Sequence, residues 1–312
     1  MLNNKKFLMS FILYCIFSHA HAEVLVILPE SGAMARAGLS IKQGFMSAYQ
    51  ASGMKIPIKF VNSDKTSIAQ LLKKNVNSKT QMVVGPLARN EVDALIQTQP
   101  MLRVLALNEV TAQSEHVWQF SLSKKDDAAA LHQVLNADKL QQLYVLHQKG
   151  MQRTNELFLK SLRAQAHYSI TVVDEMPQKF SSKSGLLLLG NNAWLNSHTD
   201  LPDENIYVLP NSIEERQSLP QGVKFCDTPA LYLVSWADVV KAYQQNPVSM
   251  PYQRLLAFGG DAWHITQQYL KQPDVNNIEF QGRTGWIQIN NNHIRRVPQC
   301  YQNTKKGLKV LS

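Results

Sequence analysis

Residues 24–49, VLVILPESGAMARAGLSIKQGFMSAY, decide the fold. Residues 24–28 are an unbroken apolar run, which suits a strand covered on both faces and therefore parallel. Pro29 breaks the run, and Ser31-Gly32 form a turn from which a helix departs. Ile41, Phe45, Ala48 and Tyr49 recur at the 3.6-residue spacing of an inward helix face, while Arg36, Lys42 and Gln43 face water. The unit is strand, polar turn, helix. In open α/β sheets such turns lie at the carboxyl ends of the strands, where ligands bind.

The unit repeats downstream. Strands are expected at 56–61, 81–84 and 103–107, with helices at 66–76 and 89–98 between them. Strands alternating with helices of this length predict a doubly wound parallel sheet with right-handed connections. A crossing segment follows near Phe120, with Ser123 as helix cap and Asp126-Asp127 in the first turn. A second set of units then brings strands at 143–146, 170–173, 186–189 and 206–209. The stretch 174–185 carries no apolar period where a regular repeat would place a helix, so this lobe reads as abbreviated. Helices are expected at 236–243 and 252–270, and a hairpin-like region at 278–311. The expected organisation is a leader over 1–22, a first lobe over 23–122 with part of 226–290, and a second lobe over 123–225 with part of the tail. Residues 226–312 then supply crossover, first-lobe helix and C-terminal hairpin.

The chain has 312 residues and a formal charge of +9. Lys5-Lys6, the apolar stretch 7–17 and Ala20-His21-Ala22 read as a signal peptide cleaved after Ala22. Cys15 follows the bulky Tyr14, which does not suit a lipidation site. Export and a periplasmic mature chain without a stable membrane anchor are the expectation. Cleavage removes two lysines and no acids, leaving +7 on about 290 residues, enough for two lobes. The lysines are scattered, without the aromatic-interleaved basic stripe that nucleic acid needs. Of the three cysteines, Cys226 and Cys300 remain after cleavage. Export favours a bridge, but their spacing leaves both a disulfide and two free thiols open.

No G-x-S-x-G elbow, P-loop, G-x-G-x-x-G, H-E-x-x-H or C-x-x-C occurs in the sequence, and the histidines lack metal-ligand spacing. The expectation is a protein without catalysis, metal or cofactor. Ser31 and Gly32 offer a hydroxyl and backbone N–H groups at a helix start, for a ligand or simply as a cap. Gly85 and Asn108 end neighbouring strands on the same edge, and the four residues are the candidates for a cleft. Asp261, mid-helix, is expected to reach a backbone group or Arg283.

The stretches VVGPLARNEV, VLALN and FSLSKKDDAAAL, with the opening one, resemble a type I periplasmic-binding-protein fold. GVKFCDTPAL, RLLAFGGDAWHI and FQGRTGWIQINNNHIRRVPQCYQ are similar to the C-terminal module of the penicillin-binding-protein activator LpoA family. The resemblance covers essentially all of the chain beyond the leader. It implies a two-lobe α/β fold and a non-enzymatic regulator of peptidoglycan synthesis acting through a class A penicillin-binding protein. The family's N-terminal helical-repeat domain and lipidation cysteine are not expected in this sequence. The rival is a solute-binding protein of an importer or sensor, taking a small polar ligand or cell-wall fragment between the lobes. Leu87, Ala88 and Arg89 stand where amino-acid receptors place hydroxyls, Lys149 where they place an acid, and Glu30 is expected to repel a ligand carboxylate.

Overall fold

The computed structural model describes residues 22–311. The expected leader, residues 1–22, lies outside them except for Ala22. The opening run forms β1 (Glu23–Leu28), and Val24 to Leu28 are all buried. With β2 (Ile58–Asn62), β3 (Thr80–Val84), β4 (Arg103–Ala106) and β5 (Val117–Gln119) it makes a parallel sheet in the order β2-β1-β3-β4-β5. The order reverses between β1 and β3, the switch point of a doubly wound sheet.

Helices α1 (Ala35–Ser52), α2 (Ile68–Asn75) and α3 (Arg89–Gln97) link these strands. Alternate residues of β1 feed two cores. Leu25 and Ile27 pack with Ile68, Leu71, Val92 and Leu95 from α2 and α3. Val24, Val26 and Leu28 pack with Ile41 and Phe45 of α1 and with Phe258 and Trp263 of α8 (Met250–Lys271). The two long helices cross closely at glycines. A Cβ on Gly44 would lie 1.7 Å from the Leu256 carbonyl oxygen, and one on Gly259 2.0 Å from that of Ile41.

The second sheet holds the parallel strands β6 (Gln142–His147), β7 (Ser169–Val173), β8 (Ser184–Leu189), β9 (Ile206–Val208) and β10 (Lys224–Asp227). An antiparallel pair, β14 (Gln299–Thr304) and β15 (Gly307–Leu311), extends it to the order β15-β14-β10-β9-β8-β6-β7. Its helices are α4 (Lys124–Ala137), α5 (Gln152–Arg163) and the short α6 (Asn192–Asn196). Residues 174–183 join β7 to β8 without a helix. Cys226 and Cys300 face each other across β10 and β14 and are bridged.

The C-terminal region is built of consecutive antiparallel hairpins, as expected, but they do not form one sheet. It contains five strands shared between two sheets. β11 (Asn277–Gln281), β12 (Trp286–Asn290) and β13 (His293–Val297) form a separate antiparallel sheet. Its Ile287 and Ile289 bury against the first lobe's core. Pro298 then marks the crossing, and β14 enters the second sheet. Two-residue periodicity reveals strands but not which sheet they join, because that depends on distant pairing.

Candidate functional site

The carboxyl ends of β1, β3 and β4 converge on one edge, yet the side chains there bond to one another. Ser31 Oγ donates to Asp64 Oδ2 at 2.6 Å and accepts from Asn62 Nδ2 at 2.9 Å. Asn62 Oδ1 in turn accepts from the backbone N–H groups of Glu30 and Asp64. The N-cap of α1 is Met34, without a side-chain bond, so the capping reading of Ser31 is corrected. The cause is the end of β2, whose two polar side chains reach the hydroxyl first. Gly32 has φ +74°, and a Cβ there would lie 2.6 Å from Asp64 Oδ1. Glu30 pairs with Lys42 two helical turns into α1, so its charge is compensated rather than directed at a ligand.

Gly85 is buried, and a Cβ on it would lie 2.0 Å from the Ile27 carbonyl oxygen. Its role is the close approach of β3 to β1. Asn108 donates to the Leu87 carbonyl at 2.9 Å and accepts from the Glu109 N–H. Of the four cleft candidates it alone borders one of the described cavities, a small one of about 200 Å³. Arg89 and Glu109 share that cavity with the apolar Leu122, Leu255 and Phe258. Ligand pockets ordinarily run from about 300 Å³ upward.

Charged pairs hold the crossings between the lobes. At the first, Arg254 of α8 donates to both oxygens of Asp227 at the end of β10, from Nε at 2.8 Å and Nη2 at 2.6 Å. Tyr232 Oη and the Thr228 N–H complete the carboxylate's shell. Burial, with Asp227 alongside, pushes the Tyr232 phenol well above its ordinary range. Within the first lobe, Asp261 of α8 is fully buried and accepts from the Arg283 N–H, the Thr284 N–H and Thr284 Oγ1 at 2.7–2.8 Å. Arg283 also reaches Asp238 of α7 (Ala237–Gln245) at 2.8 Å. The GGDAW and GRTG segments are therefore one structural unit. At the other crossing, buried Arg296 of β13 pairs with Asp127 of α4 and donates to the Thr284 carbonyl. Its backbone N–H reaches Asp126, whose carboxyl is pushed up to about 6, chiefly by burial and against the pull of Arg296. Buried charge needs such compensation, since an unpaired ion costs several kcal/mol.

The Asp261–Arg283 partnership is legible in the sequence, whereas Arg254–Asp227 and Arg296–Asp127 are not. The first is separated by 27 residues and the second by 169. Neither pair has a local pattern to announce it. Among the described residues there is no group of three or more His, Cys, Asp or Glu that could hold a metal ion.

The most voluminous of the described cavities lies elsewhere. About 670 Å³ opens between the loop after β9, the crossover turn 229–234 and the start of α8. Met250, Gln253 and Leu256 of α8 border it, whereas Leu255 and Phe258 border the small cleft. At 100° per residue these two sets lie on opposing sides of the helix. No local pattern in the sequence marks this cavity, which the loop 213–219, the turn 230–234, α7 (Ala237–Gln245), the start of α8 and the β14–β15 hairpin enclose together.

A family model described as LppC putative lipoprotein matches residues 13–176. The penicillin-binding protein activator LpoA of Glaesserella parasuis is 25% identical over 291 residues, covering 84% of this chain and 50% of that protein. The chain thus spans about half the length of the curated relatives it matches. The LpoA C-domain from Haemophilus influenzae, described as a regulator of PBP1A, superposes with a TM-score of 0.72 at 20% identity. That match covers 93% of this chain and all of the other. A putative branched-chain amino acid ABC transporter protein from Chromobacterium violaceum gives 0.74 at 21% identity, covering 89% and 99%. Both structures share the type I periplasmic-binding-protein fold. The family match extends over just more than half of the 312 residues, and the chain belongs to the LppC lipoprotein family with its LpoA relatives.

Proposed function

We propose that this chain is a non-catalytic periplasmic regulator of peptidoglycan synthesis that acts by binding a class A penicillin-binding protein. One observation carries the reading: the described chain matches the LpoA C-domain from end to end, and that domain is described as a regulator of PBP1A. The state of the cleft supports it. Two buried ion-pair clusters, Arg254–Asp227 and Arg296–Asp127, join the lobes, and the polar groups at the strand ends bond to each other. The cleft between the lobes thus offers little solvated space for a ligand. Cleavage after Ala22 would leave β1 at the mature N-terminus, which the intact mass of the exported protein checks. Calorimetric titration of the chain into a purified class A synthase tests the partnership. Saturable binding is expected, and a flat titration at micromolar concentrations would remove the reading.

The likeness to the transporter protein keeps a second reading in view, a receptor for a small polar ligand or wall fragment. Asn108, with Arg89 beside it, would then be the contact, because both border the interlobe cavity. A thermal-shift screen of amino acids and muropeptides decides this. A ligand at about 100 times its Kd adds about 2.7 kcal/mol of stability.

A further inference from the structure

β15 is the outer strand of the second sheet, and its only strand partner among the described residues is β14. Its outer edge therefore presents backbone donors and acceptors that no other described strand takes. The register shows which face it offers. Leu308 lies opposite Asn303 and Val310 opposite Tyr301, so all four share one side of the sheet. On that side Tyr301 is buried with Phe225 and Met250, but Leu308 and Val310 remain 42% and 47% exposed. The apolar inner face thus continues past the last covered strand. Leu308 borders the 670 Å³ cavity, and the crossover turn beyond it carries Leu233 and Val234, the latter 89% exposed.

We propose that this edge docks an extended segment of a partner protein, which pairs with β15 as an eighth strand and sends alternate apolar side chains over Leu308 and Val310 into the cavity. Backbone pairing supplies affinity and alternate pockets supply selectivity in this mode of recognition. A helix or an apolar small molecule would fill the cavity and leave the strand edge unpaired. Charge selects among extended partners. From Thr304 to Leu311 the hairpin carries Lys305, Lys306 and Lys309 and no acid. A second copy pairing through the same edge would set lysines against lysines, and lysines on edge strands oppose such self-association. An acidic segment meets them favourably, at roughly 0.2–1 kcal/mol per cross-strand pair. The occupant is therefore a strand of about five residues, apolar at alternate positions and acidic between them. This assignment stands on the hairpin and the cavity, and does not require that the partner be a synthase.

The test is fluorescence anisotropy of the full chain with a labelled decapeptide alternating valine and glutamate. Three further peptides carry lysine for glutamate, proline at the central valine, or the same composition scrambled. Amide hydrogen exchange is followed in parallel. The expected result is saturable binding of the acidic peptide, with slowed exchange in residues 307–311. The lysine and proline peptides and the variant Leu308→Asp should each bind at least tenfold more weakly. Leu308 is exposed, and an unchanged melting temperature of the variant separates lost docking from lost folding. Equal binding of all peptides, binding untouched by Leu308→Asp, or protection elsewhere would overturn the proposal. Concentration-dependent dimerisation of the unmodified chain that Leu308→Asp abolishes would overturn it too, by giving the edge to a second copy.

Discussion

Replacing Asp227 with Asn tests the lock between the lobes. The carboxylate is 2% exposed and accepts four hydrogen bonds, two of them from the Arg254 guanidinium. The amide keeps the shape but loses the charge. It also turns an NH2 group toward either Arg254 or Tyr232. Arg254 is 9% exposed and has one remaining acceptor, the Pro210 carbonyl at 2.9 Å. Removing one member of a buried pair costs about 3–5 kcal/mol, because the other charge stays buried without compensation. Unfolding entropy of about 2.1 cal/mol/K per residue, over the residues 22–311, gives about 0.6 kcal/mol/K. The melting temperature should therefore fall by about 5–8 °C. Calorimetry and urea titration of both proteins measure this. The combined change Asp227→Leu with Arg254→Met should recover most of the loss, since apolar replacement of a whole buried pair is often neutral. A single-variant loss below about 1 kcal/mol would refute the reasoning, because such a value belongs to a solvated surface pair.

Further outcomes follow from other parts of the fold. Gly44→Ala places a methyl against the Leu256 carbonyl and forces α1 from α8, so a loss above about 2 kcal/mol is expected in the same melts. The Asp126 carboxyl holds its proton to about pH 6 in the folded protein, against an ordinary value of 3.8. The folded state therefore binds more protons between pH 4 and 6. This group's contribution makes stability fall as pH rises through that window, by at most about 3 kcal/mol, and Asp126→Asn should flatten the slope. Breaking the Cys226–Cys300 bridge opens a loop of 74 residues. The chain-entropy model puts the loss at up to about 4.5 kcal/mol, read as a lower urea midpoint in reductant or in the double alanine variant.

The sequence announces those parts of this molecule that rest on local patterns. The apolar run of β1 predicts burial on both faces, and Val24 to Leu28 are buried there. Ser123 caps α4 by accepting from the Lys125 N–H, as its place before Asp126-Asp127 suggests. Ser31 was unreadable because its partners, Asn62 and Asp64, arrive from the far end of β2. Glu30 read as an exposed anion because Lys42 reaches it only once α1 is wound. The Arg254 and Arg296 pairs, and the cavity beneath Leu233 and Val234, are made by segments that meet only in the folded chain. Periodicity reports which face of an element is apolar, and long-range pairing decides what that face meets.

We propose regulation of a peptidoglycan synthase by contact, without chemistry of the chain's own. The most direct measurement is the rate of glycan polymerisation and crosslinking by a purified class A penicillin-binding protein on lipid-linked substrate, with and without the chain. A saturable rise in either rate is expected as the chain is added, with no turnover by the chain alone. Unchanged rates at concentrations that saturate binding would contradict it, as would hydrolysis or transfer by the chain without the synthase.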